Sequence, residues 1–179
     1  MAVMALWVLV GILAMGFLGA LFSPFQPYSV GVGPRYHPVS FQYLMGTDNL
    51  GRDVLSRFLW GARTSLLVGF AAAAASTLLG LLVGTFSGFF GDLIDSLLMR
   101  ITELFQVIPR FFLALLAVAL FGPNIWNIIL AIGILSWPVT ARLVRSEFLI
   151  QRKRYYVDAA KMQGASSLKL IFIEILPNV

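Results

Sequence analysis

The sequence contains no cysteine and only one histidine, His37. Without cysteine there is no disulfide framework, no zinc–thiolate site and no thiol nucleophile. A lone histidine excludes the paired-histidine spacing of zinc enzymes, so no metal site and no catalytic residue is expected. There is no Gly-Lys pair anywhere, which removes the phosphate loop of nucleotide hydrolases. Charge is equally scarce: 12% of the 179 residues are charged and 59% are hydrophobic, against roughly 25% charged in soluble proteins. A soluble domain of this size cannot cover its surface with so few charges, so the chain reads as an integral membrane protein. The net charge of +5 then marks loops on one side of a membrane, and no nucleic-acid partner is expected.

What is present is a series of long apolar runs. Met1–Phe22 carries no charge over 22 residues, and about 20 helical residues cross the hydrocarbon core. A signal peptide would bring a basic leading region, a shorter apolar core and a small-residue cleavage site. None is there, so residues 1–22 are expected to be a retained first transmembrane helix. Residues 23–63 follow as a loop, extended or turned in its first half by Pro24, Pro27, Pro34 and Pro38. Its second half, Asp53–Trp60, predicts a short interfacial helix, with Arg57 snorkelling and Trp60 at headgroup depth.

Residues 64–179 make up the remaining transmembrane domain. Thr64–Gly91 is uncharged over 28 residues, and within it Ala72, Ser76, Gly80, Gly84 and Gly88 recur every fourth position. On a helix they form one stripe of small side chains that lets another helix approach closely. Phe111–Ala141 is uncharged over 31 residues, too long for one span and too short for two. The Gly122-Pro123-Asn124 turn signal inside it predicts a hairpin, with one helix from about Leu97 to Phe121 and another from Ile125 to about Phe148. The fold class is therefore all-α: a polytopic membrane bundle of four spans and the start of a fifth.

Seven of the 13 basic residues, from Arg142 to Lys169, fall within 28 positions after the fourth span. The positive-inside rule places this segment in the cytoplasm. Counting back through four spans puts the N-terminus in the cytoplasm and residues 23–63 outside. Asp92, Asp95 and Glu103 outnumber Arg100 and Arg110 in the second cytoplasmic region, but the rule weighs Lys and Arg more than net charge. After Pro177 the chain stops as an apolar helix is starting, which leads to the expectation that it is part of a longer protein.

Few residues invite chemistry. Asp48 and Asp53 lie five apart beside Arg52; turn and cap roles suit them better than a catalytic carboxylate pair. Glu103 and Arg110 share a helix face and reach the interface. Arg152-Lys153-Arg154, next to a span, suits membrane lipid headgroups or a protein partner. Asp158-Ala159-Ala160-Lys161-Met162-Gln163-Gly164 is a short helix-capable stretch. Its two alanines leave a flat surface, and Gly164 allows a sharp exit. Such a helix suits docking into a groove on another protein.

Here a resemblance enters. Tyr156–Gly164, with Glu174 and Ile175-Leu176-Pro177-Asn178 beyond it, resembles the EAA loop of ABC importer permeases, with Asp158 where the family usually has Glu. Gly46-Thr47-Asp48-Asn49-Leu50-Gly51-Arg52-Asp53, followed by Val54-Leu55-Ser56-Arg57, resembles the C-type permease of the dipeptide/oligopeptide/nickel branch. The resemblance implies a non-enzymatic permease subunit of a bacterial or archaeal cytoplasmic membrane, forming half of a translocation pathway with a second permease subunit. It implies two ATP-binding subunits, which would hold ATP and Mg, and an extracytoplasmic substrate-binding protein. Asp158, Ala159, Ala160, Lys161 and Gly164 would form the cytoplasmic coupling helix. The alternative is a membrane scaffold that recruits a cytoplasmic partner through Asp158–Gly164 without moving solute. A membrane enzyme has almost no residue support.

Overall fold

The computed structural model describes residues 1–179 apart from the side chain of Arg110, so the expected reach of that side chain to the interface lies outside the described residues. Helix α1 covers Ala2–Leu18 and tightens into a 3-10 turn at Gly19–Phe22. It stops at Ser23, whose ψ of 121° is extended, because Pro24 disfavours the helical region for the residue before it. Helix α2 runs unbroken through 37 residues, Val54–Phe90. The short helix expected over Asp53–Trp60 is therefore the opening turns of α2. No proline lies between Val54 and Phe90, and single glycines such as Gly61 cost only about 1 kcal/mol each.

Helix α3, Asp92–Val107, ends at Ile108, which is extended (ψ 130°) ahead of Pro109. Helix α4, Arg110–Phe121, then leaves at an 83° bend. The single helix expected from Leu97 to Phe121 is thus two pieces, because Pro109 has no N–H to continue the ladder. Gly122 turns the chain, and the Asn124 side chain accepts from the Trp126 N–H to cap α5, Ile125–Gln151. Helices α4 and α5 pack as a hairpin. Helix α6 is Tyr155–Met162, and α7 begins at Ser167–Lys169 and winds on through π-helical Leu170–Ile175 to Asn178.

Three helical segments are long and apolar enough to cross a membrane: Ala2–Phe22, Val54–Phe90 and Ile125–Gln151. The bent α3–α4 pair makes a fourth when counted as one span. With no strand among the described residues, this is an all-α polytopic membrane bundle.

The chain divides into two compact units, residues 1–69 and 70–179. In the first, α1 packs on early α2: Gly16 lies against Leu66, and Gly19 against Leu59. The second holds a cluster of Val144, Phe148, Val157, Leu170, Ile171 and Ile175. It joins the end of α5 to α6 and α7, and Leu81, Phe89, Ala160 and Ala165 close around it. The Thr85 hydroxyl is buried with no partner among the described residues, a burden of about 1–3 kcal/mol.

Candidate functional site

Helix α6 is short, and its two ends explain why it keeps its place. Val157 is fully buried in the cluster, and Ala160 packs at its edge. The opposite side is bare: Tyr155, Asp158, Ala159, Lys161 and Met162 are all exposed. Asp158 and Lys161 pair across that surface at 3.1 Å. The C-terminus closes with two bonds, Ala165 N–H to Ala160 O at 3.1 Å and Gly164 N–H to Lys161 O at 2.9 Å. This is a Schellman closure, which needs a left-handed residue at its centre. Gly164 supplies it at φ +80°. Ser166 then caps α7 by accepting from the Lys169 N–H. A cleft of ≈ 460 Å³ opens beside α6, lined by Phe89, Arg152, Lys153, Val157, Asp158 and Lys161.

Ala72, Ser76, Gly80, Gly84 and Gly88 are all buried along one line of α2, and that line faces α5. A Cβ built on Gly80 would stand 2.5 Å from Thr140 Cβ, and one on Gly88 would stand 2.5 Å from Phe148 Cβ. From the other side, a Cβ on Gly133 would meet Ala75 Cβ at 2.8 Å, with the Ala72 carbonyl and the Ser76 nitrogen next nearest. The two backbones approach this closely because no side chain stands between them.

At the Gly91 end of this contact, the α2–α3 turn is held by two arginines of α5 and its exit. Arg145 reaches Asp95 with both Nε and Nη2, each at 2.5 Å, and the Ser87 hydroxyl also donates to Asp95. Asp95 sits in the first turn of α3, where a carboxylate also meets the positive end of the helix dipole. Arg152 Nη1 donates to Gly88 O at 3.2 Å and Phe89 O at 2.9 Å. These are end carbonyls of α2, which have no partner within their own helix.

The loop between α1 and α2 is built around Asp48. One carboxylate oxygen accepts from the N–H groups of Leu50 (2.8 Å) and Arg52 (3.0 Å). The other accepts from Arg52 Nε and Arg57 Nη1, both at 2.7 Å. Asp53 caps α2, accepting from the Ser56 N–H at 2.7 Å. The Thr47 hydroxyl donates to Pro34 O and accepts from the His37 N–H, while Thr47 and Asp53 form an isolated bridge. Gly46 and Gly51 both have positive φ and lie against the backbones of His37 and Gly33. The six motif residues Gly46, Thr47, Asp48, Gly51, Arg52 and Asp53 are thus brought together as one folded turn. The two carboxylates do not face each other as a reacting pair.

A family assignment follows from the stretch that holds these contacts. The description "Binding-protein-dependent transport system inner membrane component" matches residues 76–179, which take in most of the small-residue line, the α2–α3 turn and α6. The chain belongs to this family. It is 40% identical over 137 residues to the Di/tripeptide transport system permease protein DppC of Pseudomonas aeruginosa, covering 76% of this chain and 45% of the relative. With the Dipeptide transport system permease protein DppC of Alkalihalophilus pseudofirmus, identity is 33% over 178 residues, covering 99% of this chain and 59% of the relative. With the Probable D,D-dipeptide transport system permease protein DdpC of Escherichia coli, identity is 37% over 171 residues, covering 93% and 57%. The chain spans about half the length of the curated relatives it matches.

These relatives place the chain in the dipeptide/oligopeptide branch of the ABC importer permeases, the resemblance carried by Gly46–Arg57 and Tyr156–Asn178. The family is one of inner-membrane transport components, permeases and not enzymes, and the apolar helices of this chain fit a multi-pass inner-membrane protein. In the sequence Asp95 and Arg145 stand out only as charges that set orientation, and nothing marks Ser87; Arg152, expected at lipid headgroups or a protein partner, instead turns its guanidinium onto the end of α2. Asp95 and Arg145 lie 50 positions apart, and no short motif joins them. The available signal was an acidic residue in the first turn of an otherwise apolar segment, since a carboxylate near a membrane span requires a partner.

In this permease the Asp48 turn gives an acid-sensitive feature. Burial pushes its carboxyl upward, but the Arg52 and Leu50 N–H groups and the Arg52 guanidinium outweigh it and hold the carboxyl far below its ordinary 3.8. A group lowered on folding adds stability that is complete above the ordinary value and fades as pH falls toward the lowered one. Protection of the Leu50 and Arg52 amides against hydrogen exchange is therefore expected to be level from neutral pH down to about 4, then to decline with further acid. Asp48→Asn should show weak protection at every pH. Protection in Asp48→Asn as strong as in the wild type at neutral pH would refute the assignment.

Proposed function

We propose that the chain forms half of the translocation pathway of an ATP-driven importer, in heterodimer with a second permease subunit. Two ATP-binding subunits supply hydrolysis and hold ATP and Mg; an extracytoplasmic substrate-binding protein delivers the solute. The solute class is di- or oligopeptides, in line with the printed names of the relatives, with nickel chelates as the other cargo of the branch. The N-terminus is cytoplasmic, residues 23–63 face outward, and Asp158, Ala159, Ala160, Lys161 and Gly164 form the coupling surface.

The observation that carries this reading is the two-sided character of α6. Its inner side is anchored by Val157 on the end of α5, with Ala160 at the cluster's edge, and its outer side is bare and flat at Ala159. A helix seated this way passes a push on its outer surface into the bundle as a rigid body. Docking of a neighbouring subunit there would fit the exposed Asp158–Lys161 pair and Met162.

These 179 residues hold no cysteine, so each introduced one is the single label within them. In the complete transporter carrying this sequence, Ser40→Cys should react with an impermeant maleimide from outside and Gln163→Cys only from the cytoplasm. The same vesicles should take up a labelled dipeptide when ATP and the binding protein are both supplied. Outside labelling at Gln163→Cys would overturn the span count. Recruitment of the ATP-binding subunits without any ATP-dependent uptake would favour the scaffold over the permease.

A further inference from the structure

We infer that Arg145 and Arg152 are positioning residues that tie the coupling helix to the α2–α3 turn, so that movement of α6 is delivered to two helices of the pathway at once. This rests on the importer reading above. The two arginines are seven positions apart on α5 and its exit, hence on one face. Between them Phe148 is fully buried against Gly88. Arg145 grips the start of α3 through a two-point pair with Asp95, which also takes the Ser87 hydroxyl from α2. Arg152 grips the end of α2 through the Gly88 and Phe89 carbonyls.

Arg152 is also the first residue of the three-residue link, Arg152 to Arg154, into α6, and its own N–H is bonded to Phe148 O at 2.9 Å. A displacement of α6 therefore reaches the end of α5 by two paths, through the chain at Arg152 and through Val157 packed in the cluster with Phe148. From there it has two routes, the α2 carbonyls directly and the Asp95 pair one turn pair deeper. Both are charge-assisted bonds, stronger and more directional than the apolar contacts around them. An apolar contact slides under load; a planar guanidinium held at two oxygens transmits both direction and distance. The α2–α3 turn is short enough to move as a unit, since only Gly91 separates the helices.

The experiment measures uptake per ATP hydrolysed in the complete transporter, for Asp95→Asn, Arg145→Gln, Arg145→Lys, Arg152→Gln and the exchange Asp95→Arg/Arg145→Asp. The three neutral variants should hydrolyse ATP but lower the coupling ratio by about tenfold, the scale of a network that carries 1–2 kcal/mol of coupling. Arg145→Lys should fall between, because an ammonium cannot make the two-point pair. The exchange should recover most of the ratio. Arg152→Gln supplies an independent reading should the Asp95 variants fail to assemble. Unaltered coupling in the neutral variants would overturn the inference while leaving the importer reading intact. Loss of uptake and hydrolysis together, in step with subunit assembly and with no recovery in the exchange, would overturn it by reducing the pair to a structural contact. A wild-type assembly without ATP-dependent uptake would overturn the importer reading and this inference with it.

Discussion

Gly84→Leu is expected to force α2 and α5 apart. A Cβ at this position would lie 2.5 Å from the Ala141 carbonyl oxygen, 2.7 Å from Val144 Cβ and 3.0 Å from the Arg145 nitrogen. Two of these three are backbone atoms of α5, so no rotamer change makes room. Overpacking a tight contact costs about 1–3 kcal/mol, and more where backbone must shift. A leucine here also displaces Arg145 from Asp95, adding the loss of a two-point charge pair. The thermal midpoint of the purified protein should fall by about 5–10 °C at the usual scaling for a chain of this length. Gly84→Ala should fall part of the way, since even one methyl does not fit. Gly69→Ala is the control: that glycine has nothing within 4 Å of where its Cβ would sit. A midpoint unmoved by Gly84→Leu would show that α2 does not rest on α5 through this line.

The largest functional effects are expected on the outer side of α6 and at its exit. Gly164→Pro demands φ near −65° where the chain has +80°, and it deletes the N–H that bonds Lys161 O at 2.9 Å. The Schellman closure cannot form, so α6 loses its exit and its angle to α7. Ala159→Arg leaves the fold alone, because Ala159 is exposed. If this surface seats an ATP-binding subunit, a long cation there clashes or is buried unpaired, at a cost of several kcal/mol. A loss of about 3 kcal/mol in docking is roughly 100-fold in affinity. Both variants should lose dipeptide uptake, with weakened pull-down of the ATP-binding subunits, while binding-protein docking on the far side survives. Wild-type uptake in both would remove α6 from the power stroke and bring the scaffold reading forward.

Much of this is legible in the sequence. The scarcity of charge fixes the solvent as lipid, because no arrangement of so few polar side chains can face water on all sides. The Gly122-Pro123-Asn124 turn and the Asp53 cap are local events, set by residues within three or four positions of one another, and so they can be read from the chain. The motif stretches that mark the family are likewise contiguous. Where the reading of the sequence departs from the structure, the cause is a comparison that a linear reading weighs poorly. The short helix over Asp53–Trp60 runs on into α2 because nothing between Trp60 and Thr64 stops it. The third span breaks because Pro109 acts on Ile108, one residue before it.

Tertiary structure alone decided the partners. The spacing of Ala72, Ser76, Gly80, Gly84 and Gly88 declares a smooth face, but a smooth face does not name what lies against it; α5 does so by placing Thr140, Ala141 and Phe148 on that line. Asp95 and Arg145 are 50 positions apart and Arg152 and Gly88 are 64. Pairs this distant have no shared helix face or turn to announce them, and they meet only after α2, α3 and α5 have packed. Local geometry is encoded in neighbouring residues, whereas a charge near a membrane specifies only that it needs a partner, and the fold chooses which one.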